Sequence, residues 1–259
     1  MGDETTRDGE TAMLERICTT ANAERFREFV AGRLAPRSGE SVLSVGCGPG
    51  FEPATLGEQV GVRGRVLGVD VNEESLTAAR DRCADAPGVT VARGDATALP
   101  VSDDAFDAAL AKQVYQFVDN VPAALDELHR VLAPGGRALV AAGDVDARVL
   151  HTSDPDRARR VRDAYRAARR HPDLGTRLRS LLPDAGFTVE AVDPWAALHT
   201  EIDEQVERGI EVHREILERA DSVDRETADA YERDLRDLDA AGEFLSCGVQ
   251  LCYLVTPSA

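Results

Sequence analysis

The sequence predicts an α/β protein built on a doubly wound, mostly parallel sheet. Short apolar segments rich in β-forming residues recur near 42–46, 65–69, 89–93, 106–111 and 137–142. Amphipathic segments typical of helices lie between them, near 52–60, 73–85 and 120–132. A glycine-rich turn joins the first strand to the first of these helices. This alternation indicates βα units, whose strands lie parallel in one sheet.

The rest of the chain predicts more helices and two further strands. Residues 12–34 suit one or two amphipathic helices ended by Pro36. Beyond residue 154, helices are predicted near 155–170, 174–185, 203–220 and 224–241. Two β-rich segments, 187–192 and 244–255, complete a seven-stranded sheet whose last strand we expect to be antiparallel.

The predicted domains follow from this pattern. We expect residues 1–36 to form an N-terminal helical cap and residues 37–259 to form one domain. The helical segment at about 200–242 is longer than a usual connection between strands. We expect it to be a lid over the substrate, and a stabilising or dimerising insertion is the alternative.

The charge of the chain restricts its partners. The formal net charge is -17, from 47 acidic and 30 basic side chains. Such a surface repels phosphate, so we expect no nucleic-acid partner and no binding to anionic membranes. Lys112 is the only lysine. An acidic, lysine-poor surface is typical of proteins from salt-loving organisms, and codon usage in a GC-rich genome is the alternative.

Five cysteines are scattered without C-x-x-C or metal-finger spacing, which predicts reduced thiols and no metal site. The acidic N-terminus lacks the apolar segment of a signal peptide. No apolar segment approaches the ~18 residues of a membrane span. We therefore expect a cytoplasmic protein.

The glycine-rich turn is the strongest candidate for a binding site. Gly46, Gly48 and Gly50 follow the apolar strand 42–45, and a second strand ends in Asp70. Glycines allow positive φ angles and the close approach of a ligand. An acid at the end of the second strand suits a ribose diol. A purely structural turn is the alternative.

Five blocks of sequence in this order resemble the class I S-adenosylmethionine (SAM)-dependent methyltransferases. They are also similar to the ubiquinone/menaquinone-type, or type 11, group. The blocks are 42–50, 66–70, 94–100, 106–111 and 128–140, the last with Leu132-Ala133-Pro134-Gly135-Gly136. The resemblance covers roughly residues 40–142. It implies a Rossmann-like methyltransferase fold, SAM as cofactor and methyl transfer to a small-molecule acceptor.

The resemblance also implies roles for individual residues. The turn residues Gly46, Cys47, Gly48 and Gly50 would lie against the methionine part of SAM, and Asp70 would accept hydrogen bonds from the ribose hydroxyls. Contacts with adenine are implied for Val71, Gly94, Asp95 and Ala96. A helix cap is the alternative for Asp70, and a turn-forming side chain is the alternative for Asp95.

The resemblance also implies cofactor contacts for Lys112 and Gln113, which follow the fourth strand, where acceptor and cofactor meet in the family. Lys112 could instead bind a carboxylate acceptor, or it could be a solvated surface lysine. Asp144 and His151 are candidate general bases, and both could instead be structural. Ser44 stands where the family usually has an acid that helps hold the methionine end of SAM. What recognises that amino group is therefore open.

Two other functions fit parts of the pattern. A SAM-binding sensor without catalysis would explain Ser44 and the lack of an obvious base. A nicotinamide-dependent oxidoreductase would share the strand–turn–helix layout, but Phe51 replaces the third glycine of its fingerprint.

Overall fold

A computed structural model describes residues 5–219 and 223–258, with side chains for 11–215 and 223–258. The chain forms two compact units. The first contains the residues up to Ala142, together with Arg177–Asp193 and the residues from Leu251 onward. The second contains Gly143–Thr176 and Pro194–Gln250.

Helices and strands alternate through the first half of the chain, as predicted. The helices of the described residues are α1 (Thr5–Cys18), α2 (Ala21–Leu34), α3 (Phe51–Val60), α4 (Glu73–Arg82), α5 (Val121–Val131), α6 (Pro155–Ala168), α7 (Leu174–Asp184), α8 (Glu204–Arg219) and α9 (Arg225–Ala240). The strands are β1 (Ser41–Val45), β2 (Arg65–Asp70), β3 (Val89–Arg93), β4 (Phe106–Lys112), β5 (Leu132–Leu150), β6 (Phe187–His199) and β7 (Ser246–Pro257).

The seven strands form one sheet in the order β3-β2-β1-β4-β5-β7-β6. β1 pairs in parallel with β2 and β4, which places Val45 opposite both Val69 and Ala111. The carboxyl ends of β1, β2 and β4 therefore lie at one edge of the sheet. The doubly wound sheet with an antiparallel strand near its end confirms the predicted fold class.

The core of the first unit explains why these segments form strands and helices. β1 is buried from Val42 to Val45, as expected for a central parallel strand covered on both faces. α3 buries Leu56 and Val60, and α5 buries an apolar face that includes Leu125. Burial of each such side chain contributes about 1.5–3 kcal/mol to folding.

Strands β5 and β6 are longer than predicted. β5 begins at Leu132 rather than at Arg137, because Leu132 pairs with Phe106 and Arg137 with Ala108. It also continues past Ala142 to Leu150. Residues 133–136 therefore form a bulge between two paired stretches of one strand, with Gly135 at φ 79°. β6 continues past Val192 to His199. Turn-forming residues can be recognised in a sequence, but they do not reveal whether strand pairing resumes beyond them.

The second unit has its own apolar core. Side chains from α6, α8 and α9 meet there with Phe244. α8 contributes Val206 and Ile210, α9 contributes Leu235, and α6 contributes Val161. Two further apolar residues of the α8 sequence, Ile216 and Leu217, lie outside the described side chains. The lid role of residues 200–242 stays a prediction.

Candidate functional site

The glycine turn, residues 46–50, connects the carboxyl end of β1 to α3. All three of its glycines have positive φ: 61° at Gly46, 49° at Gly48 and 88° at Gly50. A β-carbon at Gly46 would collide with Val114, and one at Gly50 would lie 2.8 Å from the backbone Cα of Ala79. A β-carbon at Gly48 would meet nothing within 4 Å. The turn is thus packed at its two ends and open at Gly48.

Asp70, at the end of β2, holds this turn in place. Its Oδ2 accepts a hydrogen bond from the Gly48 N–H at 2.8 Å, and its Oδ1 accepts one from the Asn72 N–H at 2.9 Å. Asp70 does not cap α4, because the Asn72 side chain fills that role. A carboxylate has about four lone-pair sites. Asp70 therefore keeps acceptor capacity for a ligand.

The predicted adenine contacts lie close to Asp70. The Gly94 N–H donates to the Asp70 carbonyl at 3.0 Å, which brings the end of β3 beside the end of β2. Val71 is 59% exposed, whereas Ala96 is buried. The structure brings these predicted residues together at one edge of the first unit.

Asp95 adopts the turn-forming arrangement. Its Oδ1 accepts hydrogen bonds from the N–H and the hydroxyl of Thr97, at 2.8 and 2.7 Å. These bonds hold the pKa of the Asp95 carboxyl below its usual value. The carboxyl is therefore an ionised acceptor at neutral pH.

Lys112 is not the solvated surface lysine that we considered. Its side chain is 12% exposed and forms an ion pair with Glu52, whose side chain is 10% exposed. The Lys112 ammonium also lies 5.3 Å from the ring centre of Phe26. Gln113, the next residue, has φ 58° and donates its N–H to the Ala141 carbonyl.

Glu52 is a site residue that the sequence analysis missed. Burial raises the pKa of its carboxyl, but the charge and hydrogen bond of Lys112 outweigh this and hold the pKa below its usual value. An acid in the first turn of α3 was visible in the sequence. Its pairing with a lysine on β4 requires the sheet register.

Cys47 carries no reactive thiol. Its side chain is buried in the turn, and burial raises the pKa of the thiol far above its usual value. The negative charges of Asp70 and Glu52 raise it further. Since the thiolate is the reactive form, Cys47 contributes its backbone and its packing.

Two arginines contact Phe51, the residue that directly follows the glycine turn. The Phe51 ring lies beneath the guanidinium of Arg82 at 3.5 Å and that of Arg27, on α2, at 5.0 Å. The Arg82 Nε also donates to the Pro49 carbonyl, and Arg82 pairs with Glu15 of α1. Arginines from α2 and α4 therefore hold the residue that follows the last glycine.

Two aromatic residues that follow Lys112 and Gln113 differ in exposure. Tyr115 is 2% exposed, and its hydroxyl has no hydrogen-bond partner among the described atoms. Burial raises the pKa of that hydroxyl, so it stays protonated. Phe117 is exposed. The Tyr115 hydroxyl is thus one of the buried polar groups of the described residues that lack a hydrogen-bond partner.

The two candidate bases lie in the second unit. Both Asp144 oxygens accept from the Thr176 N–H, at 3.1 and 3.3 Å. The His151 side chain is exposed, and its backbone N–H donates to the Leu245 carbonyl at 2.8 Å. Asp144 thus forms a structural hydrogen bond near the start of α7. Among the described contacts, the His151 ring forms no hydrogen bond.

Two searches of the described residues gave no site. No group of three or more His, Cys, Asp or Glu side chains in residues 11–215 and 223–258 has a geometry suited to a metal ion. In the described parts of the chain, no helix combines the length and apolar character needed to span a membrane.

Residues 43–140 match a family model described as a methyltransferase domain. An uncharacterized 37.1 kDa protein in transposon TN4556 of Streptomyces fradiae is 36% identical over 186 residues, which are 71% of this chain and 54% of that protein. The demethylmenaquinone methyltransferase of Symbiobacterium thermophilum is 39% identical over 128 residues, 48% of this chain and 51% of that one. The chain spans about half the length of these curated relatives.

A search of solved structures agrees with the sequence match. The YcgJ protein from Bacillus subtilis superposes with a TM-score of 0.65 at 18% identity, covering 91% of this chain and 99% of that one. At such low identity the likeness concerns the fold alone. Taken together, the domain match, the fold likeness and the strand order show that residues 43–140 carry a methyltransferase domain similar to the class I SAM-dependent methyltransferases of the type 11 group.

Proposed function

We propose that this chain transfers a methyl group from SAM to a small-molecule acceptor. The observation that carries the proposal is the bond between Asp70 and Gly48. It fixes an acidic side chain with spare acceptor sites beside a turn that is open at its central glycine. An acid suited to a ribose diol and a backbone that a ligand can approach are thus held together.

A carboxylate with spare acceptor sites and a backbone that a ligand can approach support SAM binding by the first unit. Gly46, Cys47, Gly48 and Gly50 would lie against its methionine part, and the open side of Gly48 is where a ligand can approach the backbone. Asp70 would accept hydrogen bonds from the ribose hydroxyls. Val71, Gly94, Asp95 and Ala96 would surround the adenine.

When bound, SAM supplies an electrophilic methyl group on a positively charged sulfur. The task left to the chain is to hold the acceptor in line with it and to exclude water. Correct positioning alone lowers such barriers by about 7–11 kcal/mol. An oxygen or carbon acceptor also needs a base, for which Asp144 and His151 are our candidates.

The acceptor is proposed from charge and from the relatives. A net charge of -17 repels polyanions, which favours a small molecule over a nucleic acid. One relative is named for a quinone, demethylmenaquinone. Quinols therefore belong in the first set of acceptors to be tested.

Two features of organisation belong to the same proposal. Residues 1–36 would cap the SAM site, supported by the contact of Arg27 with Phe51 beside the glycine turn. Residues 200–242 would form a lid over the acceptor. Formation of a homodimer through this insertion is the alternative to the lid. We also propose a cytoplasmic location.

The proposal is tested by binding and by transfer. We expect calorimetry to show binding of SAM and S-adenosylhomocysteine but not of NADH. We expect label from methyl-labelled SAM to appear in at least one small molecule of a metabolite extract. Binding of SAM without transfer would identify a sensor. Binding of NADH in place of SAM would overturn the proposal.

A further inference from the structure

We propose that Glu52 and Lys112 together bind the amino-acid end of SAM, with Glu52 holding its ammonium group and Lys112 its carboxylate. This inference rests on the proposed function. It assigns a role to Glu52, and it answers how the amino group is recognised in a chain that has Ser44 in place of an acid.

The position of the two residues is the first argument. Lys112 ends β4 directly after Ala111, which lies opposite Val45 at the start of the glycine turn. Glu52 is the second residue of α3, just beyond the end of that turn. The two side chains meet in an ion pair from opposite ends of the turn.

Burial of the pair is the second argument. With side chains 10% and 12% exposed, both charges have lost most of their hydration. The attraction between the two charges compensates only partly for the hydration free energy they lose on burial. A buried ion pair is therefore weak evidence for a stabilising role. The start of α3 favours a negative charge at Glu52, and the Phe26 ring favours a positive one at Lys112. Both charges are thereby kept at the turn.

The carboxylates near the turn are the third argument. Ser44 is buried inside β1 and carries no charge. Asp70 and Glu52 are the two carboxylates whose charges act on Cys47, within the turn. Since Asp70 is assigned to the ribose, Glu52 is the carboxylate that remains to meet an ammonium group.

The chemistry of the ligand is the fourth argument. The amino-acid end of SAM carries one ammonium and one carboxylate group, which complement one carboxylate and one ammonium of the protein. When SAM binds, Glu52 would pair with its ammonium group and Lys112 with its carboxylate, in place of each other. Every charge would stay paired, which avoids the cost of an isolated buried charge. Arg27 adds a second positive charge near Glu52.

The test compares two ligands that differ only at this end. S-adenosylhomocysteine carries the amino-acid group, and 5′-methylthioadenosine lacks it. We expect Glu52→Gln and Lys112→Met each to weaken binding of S-adenosylhomocysteine by at least about tenfold. Binding of 5′-methylthioadenosine should change by less than about twofold, because its contacts lie at Asp70 and beyond.

The matched control is Glu40→Gln. Glu40 pairs with Arg137 at 2.8 Å, with side chains 14% and 16% exposed, and it directly precedes β1 at the opposite edge of the sheet. We expect this variant to change the melting temperature without changing the ratio of the two affinities. The double variant Glu52→Gln/Lys112→Met carries no unpaired charge, so it serves if a single variant fails to fold.

Equal loss of both ligands, or no loss of either, in the folded variants would overturn the inference and leave the proposed function standing. Failure of the unmodified protein to bind either ligand would overturn the proposed function, and this inference with it.

Discussion

The Asp70 carboxylate and the Gly48 backbone amide are joined by a 2.8 Å hydrogen bond across the ends of β2 and β1. The second oxygen of Asp70 binds the Asn72 N–H, so one side chain fixes the turns after both strands. The residue expected to bind ribose therefore also shapes the turn expected to face methionine. Substitutions must separate these two effects.

Replacing Asp70 tests its ligand role. We expect Asp70→Ala to weaken SAM binding by at least about tenfold, because charged hydrogen bonds of roughly 1.5–3 kcal/mol are lost. Calorimetry measures the change. Asp107→Ala is the control, since Asp107 Oδ2 accepts from the Ser41 N–H at 2.8 Å at the amino end of β1. Equal affinity in Asp70→Ala and the unmodified protein would refute the ribose role.

Two of the three glycines of the turn, Gly48 and Gly50, give a matched pair of variants. Gly50→Ala places a methyl group 2.8 Å from the Ala79 Cα at φ 88°, so we expect a clear loss of stability from overpacking, about 1–3 kcal/mol beyond strain. Gly48→Ala meets no atom within 4 Å and costs only the left-handed conformation, about 1–2 kcal/mol.

We therefore expect Gly48→Ala to remain folded but to lose SAM affinity, because its methyl group occupies the open side of the turn. Denaturant titrations and calorimetry measure the two quantities. Unchanged affinity in Gly48→Ala would show that the ligand does not approach the turn there.

The net charge of -17 predicts a dependence on salt. Molar KCl screens the repulsion among acidic side chains, so the melting temperature should rise from dilute buffer to high salt. Screening also weakens exposed pairs such as Arg236–Glu207, but each contributes little. Substituting the exposed Glu58 and Asp85 by their amides should reduce the rise. A melting temperature that stays flat or falls would contradict the prediction.

His213 predicts a dependence on pH. The ring is half-buried and edge-on to Tyr165, with ring centres 4.1 Å apart. Burial, together with the positive charges of Arg148 and Arg169, lowers the pKa of His213 from 6.5 to about 3. Below pH 6.5 the His213 ring binds a proton in the unfolded chain but stays neutral in the folded chain. Stability is therefore complete above pH 6.5 and falls as the pH drops toward 3.

Denaturant titrations between pH 7 and 5 measure this loss. That window avoids the carboxylates with lowered pKa, such as Glu40 and Glu127, whose contribution is lost only at lower pH. His213→Gln should flatten the slope. The same slope in the variant and the unmodified protein would assign the effect to other groups.

The insertion at 200–242 is tested by replacement with a Gly/Ser linker. We expect acceptor methylation to suffer more than SAM binding, because the residues proposed to hold SAM precede residue 115. Removal would uncover Val161 and Ala164 of α6, so both should be changed to Ser in the same variant. The control carries these two changes in the full chain. Unfolding, or outright loss of SAM binding, would make the insertion structural.

Local patterns anticipated much of the fold and part of the candidate site. The glycine turn at Gly48, the acid Asp70 at the end of β2 and the turn-forming Asp95 each followed from residues close to that position in the chain. Turn glycines and strand ends act within a few residues of their own position. One alternative for Lys112, a solvated surface residue, is wrong, because its side chain is largely buried beside Glu52.

By itself, the sequence determined the alternation of strands and helices, the place of the glycine turn and the acid that ends β2. These features depend on local periodicity and backbone preference. The tertiary structure alone decided that Glu52 meets Lys112, that residues 133–136 bulge within β5 and that α8 and α9 pack on α6. Each of these depends on which segments distant in the chain become neighbours, and strand register and packing fix that choice.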